Sequence, residues 1–249
     1  IFAPQLAPYN PLKNDYRALL ADPFTPGHFL GTDDLGRDVL SRLIYSTRVA
    51  ILAPAIAIGV TLVLGLIPGL VAGFAGGRAD TIIMRITDSL QSFPPLLLAM
   101  GLVAVLGPGL VNAMVAVGIV FTPAIVRVMR GAVMSIRKEQ YIEAAITIGT
   151  PLPVILGRHV LPNVIGPLLV QVSLMMGLAL LAEATLGFIG LGQLPPAPSW
   201  GGMLQSGFAM LSRQPWLWVW PAVLLSLTVL AFNLVGDAIR DSVGQEERR

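Results

Sequence analysis

Residues 49–77 read VAILAPAIAIGVTLVLGLIPGLVAGFAGG, a run without a single charge between Arg48 and Arg78. A helix rises 1.5 Å per residue, so about 20 mostly apolar residues cross a hydrocarbon layer roughly 30 Å thick. Ala50 to Phe74 alone supplies that length. The whole composition agrees with this stretch: 55% of the chain is apolar, only 12% is charged and the mean hydropathy is +0.76. Such a chain cannot cover itself with a water-exposed surface, so it belongs in a membrane.

The same spacing of charges marks the other crossings. From Asp88 to Arg127 the uncharged run is too long for one helix, and Gly107-Pro108-Gly109 favours a turn inside it. This predicts spans over residues 93–106 and 110–128. Val160 to Ala182 gives a fourth, and Trp216 to Val235 a fifth. Pro54, Pro68, Pro123, Pro162 and Pro167 fall in or at the ends of these spans, where neighbouring helices satisfy the carbonyls they free. The first residues, Ile1 to Ala7, look like the last turn of a helix, and a preceding N-terminal helix would make six spans. The expected organisation is residues 1–48 as the end of that truncated helix plus an outer loop and an amphipathic helix, then a transmembrane domain over 49–249. No internal repeat occurs.

Lysines and arginines orient the spans. Gly76 to Asp88, Arg127 to His159 and Asp237 to Arg249 carry ten basic residues between them, whereas the short connections opposite carry only Arg213. The long N-terminal segment balances five basic residues with five Asp. The first set is therefore expected in the cytoplasm together with the C-terminus, and the cluster Trp216, Trp218 and Trp220 forms an outer interfacial belt.

Several functions are excluded by what is absent from the sequence. A formal charge of +2 with pI near 9.3 provides no dense basic patch, so no nucleic-acid partner is expected. Without Cys there are no disulfides or thiolates, and His28 and His159 are too few for a metal centre, so no metal and no catalytic residue are assigned. No Gly-x-x-x-x-Gly-Lys-Ser/Thr loop occurs, so the chain does not itself cradle nucleotide phosphates. An intramembrane enzyme would need a Ser/His dyad, paired Asp residues or a zinc motif, none of which is present. A carrier or channel working alone would show charge pairs or broken helices in matched halves, and prolines apart there is little of that.

The segment between the third and fourth spans, residues 130–159, is the informative one. On a helical wheel Glu139, Gln140, Glu143 and Thr147 share a narrow polar strip, flanked by Ile142, Ala145, Ile146 and Gly149 on one side and Tyr141, Ala144 and Ile148 on the other. Gly149-Thr150-Pro151 stops the helix. A short, mostly apolar helix on the basic side suits a groove on another protein, or else lies on the bilayer surface. Leu35, Val39 and Leu43 with Leu40 and Ile44 define a second amphipathic helix, capped at Thr32 or Asp33, with Asp34, Arg37, Asp38, Ser41 and Arg42 facing away and Asp38 paired to Arg42. Its polar face either meets an external protein or is a ramp into the span. Glu183 is the acid nearest a span and has three readings: facing a pathway, hydrated at the outer interface, or bonding backbone N–H groups of the outer loop 183–214. Residues 195–202 are too irregular for exposure to lipid at depth, so they cover the outer mouth or touch a partner. His159 is read as a packing and hydrogen-bonding residue, although its chemistry also permits pH sensing.

Glu143-Ala144-Ala145, Gly149 and His159-Val160-Leu161-Pro162 resemble the EAA signature of the membrane subunits of bacterial ABC importers, with His159 where the general pattern has Ile. Leu30-Gly-Thr-Asp-Asp-Leu-Gly-Arg-Asp-Val-Leu-Ser-Arg42, and Leu181 to Glu183 with Gly187 to Gly192 and Pro195 to Gly201, are similar to the C-type permease of dipeptide and oligopeptide importers. The resemblance spans Ile1 to Val243. It implies an all-α integral membrane fold like that of type I ABC importer permeases, in the bacterial cytoplasmic (inner) membrane. It implies docking of an ATPase on Glu139, Gln140, Tyr141, Glu143, Ala144, Ala145 and Gly149, with His159, Leu161 and Pro162 where the loop returns to the membrane. Asp33, Asp34, Arg37, Pro196 and Trp200 are the expected contacts of a substrate-binding protein, and Glu183 a pathway residue. The implied partners are a second permease in a heterodimer, two ATP-binding subunits that hold the ATP and Mg, and an external binding protein; this chain itself needs no cofactor. Peptide is the expected cargo, with metal chelate or haem as the alternative.

Overall fold

The computed structural model describes residues 2–246, and Arg248 and Arg249, counted above among the basic residues, lie outside it. The described residues form helices and turns, with no strand among them. After a single turn, α1 (Ala3–Leu6), and a long irregular segment, the chain enters α2 (Val39–Ala75), whose 37 residues carry no polar stripe along their length. Asp38 starts it: the carboxylate accepts from the Ser41 N–H at 2.8 Å, the cap that satisfies a free donor of the first turn.

The separate amphipathic helix expected from Thr32 onward does not form. Residues 33–38 are a tight turn in which Asp33 accepts from the N–H groups of Leu35 and Arg37 at 3.0 and 2.9 Å. Gly36 sits at φ +74, and a Cβ there would lie 1.9 Å from the Asp15 carbonyl oxygen, so helix cannot run through it. Of the polar residues read as facing away, Asp38, Ser41 and Arg42 are buried, Arg37 is half-buried and Asp34 is exposed; Asp33, read as a cap, is buried too. The expected Asp38–Arg42 pair is replaced by two others, Asp38 with His28 at 3.0 Å and Arg42 with Asp33 at 3.5 Å.

Helix α2 packs along α5 (Leu110–Ile136) in the same direction. Gly65, Gly69 and Gly73 follow each other every fourth residue, facing Ile125, Met129 and Val133 in turn, and on α5 Gly118 faces Ala57 and Val60. Hydrocarbon tails give apolar helices little reason to associate, so close backbone approach through small residues carries the packing. The Thr61 hydroxyl completes it, donating to the Gly118 carbonyl at 2.9 Å.

Between them lie α3 (Gly77–Gln91) and α4 (Pro95–Leu106), bent at 89° to each other. The stretch read as a connection after Gly76 is thus helical; its Arg and Asp residues break the apolar run that marks a crossing, while Ile82, Ile83, Ile86 and Leu90 give it an apolar side. Two ion pairs fix it to α5, Asp80 with Arg130 at 2.5 Å and Asp88 with Arg127 at 2.6 Å. Among the described residues four helices are long and apolar enough to cross a bilayer, and five, the number expected, if the bent pair is counted as one span. At 12 residues α4 is too short to cross alone.

The remaining elements are α6 (Gln140–Thr147), a turn α7 (Leu152–Val154) running through a π-helical stretch (Ile155–Val160) into α8 (Leu161–Phe188), then α9 (Trp200–Ala209) and α10 (Trp216–Glu246). Trp216 stacks on Trp220 at 5.8 Å at the head of α10. One end of the bundle therefore carries the tryptophans and the N-terminal segment, and the other carries Arg127, Arg130, Arg137 and α6.

Candidate functional site

At the basic end, α5 stops at Ile136 and the chain turns through Arg137 to Glu139 into α6. Gly149 adopts φ +77, which lets the Thr150 N–H reach back to the Ala145 carbonyl at 3.0 Å and closes the helix. Only two side chains of α6 are buried, Ile142 and Ala145, and both join the core cluster of Met129, Val133, Ile155 and Val160. That seating explains the orientation. Tyr141, Ala144 and Ile148 are three and four residues apart on the adjoining face, about 100° round the helix, and Ile148 is 81% exposed.

Glu139, Gln140, Glu143 and Gly149 are exposed beside them, whereas Ala145 at 7% is turned into the bundle. Partial burial and the neighbouring Glu139 carboxylate push the Tyr141 phenol above its ordinary range, so it remains a neutral hydrogen-bonding group at physiological pH. Glu143 shares a cavity of about 300 Å³ with Asp80, Arg137 and Lys138 beside Gly73 and Gly76 of α2. The Arg137 guanidinium also lies 5.5 Å from the Phe74 ring, a cation–π contact that ties the loop to the end of α2. Further on, the His159 carbonyl accepts from Asn163 Nδ2 at 2.6 Å; His159 and Leu161 are half-buried and Pro162 is exposed in the first turn of α8.

At the tryptophan end, the expected contact residues divide by burial. Asp34 and Pro196 are exposed. Asp33 is buried and bonded to Arg37 Nε at 2.7 Å, and Trp200 is buried, donating from Nε1 to the Leu43 carbonyl at 3.2 Å. Trp200 thus ties α9 to α2. His28, Asp38 and Ser41 form a chain of polar contacts on which the Tyr9 N–H also rests, through the Ser41 hydroxyl at 3.0 Å. Gln214 extends this clamp to Leu20 and Asp22.

Glu183 is 1% exposed, which rules out the reading of a hydrated interfacial acid. Its side chain meets the Ser199 hydroxyl at the head of α9, and its Oε1 has no hydrogen-bond partner among the described residues. Ser199 in turn caps α9 by accepting from the Gly202 N–H at 3.1 Å. The sequence reading missed the glycine stripe of α2, although its four-residue spacing is visible in residues 65–73 and signals close helix approach. It also missed the buried His28–Asp38–Ser41 group, which no spacing rule brings together across an irregular segment.

These features define a class: a multi-pass helical membrane subunit that displays a short, mostly apolar helix outside its own bundle. The chain belongs to the family of binding-protein-dependent transport system inner membrane components, whose model matches residues 65–249; it is an ABC importer permease. It is 43% identical over 241 residues to the probable D,D-dipeptide transport system permease protein of Escherichia coli (strain K12), covering 97% of this chain and 80% of that one. It is 42% identical to the di/tripeptide transport system permease protein of Pseudomonas aeruginosa (strain UCBPP-PA14), with 98% and 82% covered. With the oligopeptide transport system permease protein of Haemophilus influenzae (strain ATCC 51907 / DSM 11121 / KW20 / Rd) it shares 34% over 99% of this chain and 79% of that one. The fold matches a chain of the inward-facing MetNI methionine ABC transporter with a TM-score of 0.67 at 20% identity, over 81% of this chain and 95% of that chain.

Proposed function

We propose that this chain is one permease of a heterodimeric, binding-protein-dependent peptide importer in the bacterial cytoplasmic membrane, with its basic end and C-terminus in the cytoplasm. The observation that carries the reading is the two-sided burial of α6. Ile142 and Ala145 lock it into the bundle, and Tyr141, Ala144 and Ile148 stay uncovered outside. Exposed apolar side chains at the head of a rigid element suit the groove of a soluble partner. An ATPase of the importer fills that role, with its ATP and Mg held in its own subunit.

Because α6 shares one core with the ends of α5 and α8, a push on its outer face moves both helices together. Closure of two ATPase subunits around nucleotide would drive the paired permeases between outward- and inward-open states, a conformational exchange with no covalent step in this chain. Asp34 and Pro196 are the expected side chains still available to a binding protein. Asp33, Arg37 and Trp200 act there by holding the surface in shape. Peptide cargo is supported by the names of the curated relatives, three of which carry peptides of different lengths in their descriptions.

Site-directed cross-linking tests this. Ala144→Cys is expected to link to a co-purified ATPase subunit, and Ala145→Cys, being turned inward, is not. Glu143→Lys is expected to insert normally and to lower transport-coupled ATP hydrolysis, and so is Gly149→Leu, in which the strain of a side chain at φ +77 falls on the end of α6 and not on the spans. Capture of lipid alone from position 144, or full transport by the isolated chain, would show a stand-alone carrier instead.

A further inference from the structure

The break between α3 and α4 leaves backbone groups without partners. Residues 94 and 95 are both proline, and in a continuous helix their N–H groups would serve the carbonyls of Leu90 and Gln91. Proline has no N–H, and among the described residues no turn or loop N–H bonds to either oxygen. The residues that own these oxygens line a cavity of about 310 Å³, to which α5 contributes Phe121 and α8 contributes Gln171 and Met175. Phe121 lies eleven residues into α5 and Gln171 ten residues into α8, so the cavity sits near the middle of both. Neither Gln91 nor Gln171 has a hydrogen-bond partner among the described residues.

Two neutral side-chain amides and two carbonyls freed by the prolines therefore gather at one apolar-walled cavity between α3, α4, α5 and α8 that opens at the surface of the bundle, where Gln91 and Phe93 are exposed and Gln171 is half-buried. Hydrocarbon satisfies none of them, and irregular backbone at membrane depth is found where it lines a water-filled path. Discontinuous helices with unpaired backbone groups are a recurrent way of building a transport site.

We propose that this cavity is a subsite of the translocation path and that its ligand is the main chain of an extended peptide. The proposal rests on the importer reading above and deepens it. A peptide presents N–H and C=O groups in alternation, and a glutamine amide offers the complementary pair. Recognition through main-chain groups is indifferent to sequence, while Phe121 and the adaptable thioether of Met175 accommodate whatever side chain arrives. Neutral amides also avoid the deep electrostatic well that a buried charge would make, so cargo leaves as readily as it enters.

The test uses the complete transporter in proteoliposomes with labelled trialanine as the probe. Gln171→Leu is expected to lower ATP-driven uptake about tenfold, which is about 1.4 kcal/mol of lost interaction, and Gln171→Asn, which keeps an amide, to recover most of it. The chain contains no Cys, so Phe93→Cys labelled with a benzophenone, in partners stripped of cysteine, is expected to capture trialanine during turnover. Wild-type uptake by Gln171→Leu, or capture only of acyl chains or of partner helices, overturns the subsite and leaves the importer standing. Failure of the wild-type complex to import any peptide overturns the importer reading and the subsite with it.

Discussion

A Cβ placed on Gly69 would lie 2.6 Å from the Met129 Cβ and 3.0 Å from the Val126 carbonyl oxygen, so even one methyl group forces α2 and α5 apart. Gly69→Val is expected to destabilise the folded subunit by about 1–3 kcal/mol, read as a lower melting temperature in detergent. Gly59 has open space around its Cβ position. Gly59→Ala is expected to be neutral or stabilising by up to about 1 kcal/mol, since alanine favours helix over glycine. Asp38 presents the opposite case, a charged residue that belongs inside: 2% exposed, it caps α2 and also holds His28 and Ser41. Asp38→Ala removes the cap, worth roughly 1 kcal/mol, and strands the His28 and Ser41 groups it served. The expected result is faster proteolysis within residues 8–37 while α2 stays inserted.

At the scale of elements, α6 has a structural side and a displayed side, and mutations separate them. Ile142→Ala opens a hole in the core cluster and is expected to cost about 2–4 kcal/mol. Ile148→Ser on the displayed side is expected to change stability by less than about 0.5 kcal/mol and to weaken ATPase co-purification. Equal destabilisation by both variants would mean that Ile148 is covered by its own chain. The angle of α3 depends on its acids. Asp80→Arg with Arg130→Asp should restore much of the stability that either single change removes, with a coupling of up to about 1 kcal/mol because both groups are partly exposed.

Across the whole molecule, three clusters of buried apolar residues divide the bundle: one where α6 and the π-helical stretch meet α2, α5 and α8, one around α4, and one at the tryptophan end where α9 and α10 close on α2. On the proposed function, the first would transmit movement from α6, and the third would hold the surface that a binding protein meets. Between them lies the cavity containing Gln91 and Gln171. The core that seats α6 and the cavity proposed as a subsite thus share the same pair of helices, α5 and α8.

The class of fold was legible because a bilayer imposes a length and forbids charge: the run from Val49 to Gly77, the Gly-Pro-Gly turn and the tryptophan cluster each record one of those constraints locally. The α6 segment was legible through its motif and its Gly149 stop. Periodicity could not tell which of its apolar flanks is buried, because both are equally greasy on a wheel and only the position of Met129, Val133 and Ile155 in space selects Ile142 and Ala145. The same limit explains the N-terminal segment, where polar groups read as facing away are internal because Asp38 meets His28 and Arg42 meets Asp33 across distances in sequence that no helical repeat encodes. The amino-acid order alone thus determined that the chain crosses a membrane and displays a helix beyond it. Which side of that helix is free, where the polar groups hide and where the bundle leaves a cavity were decided only when separate stretches came into contact, since burial is a property of neighbours and not of the residue.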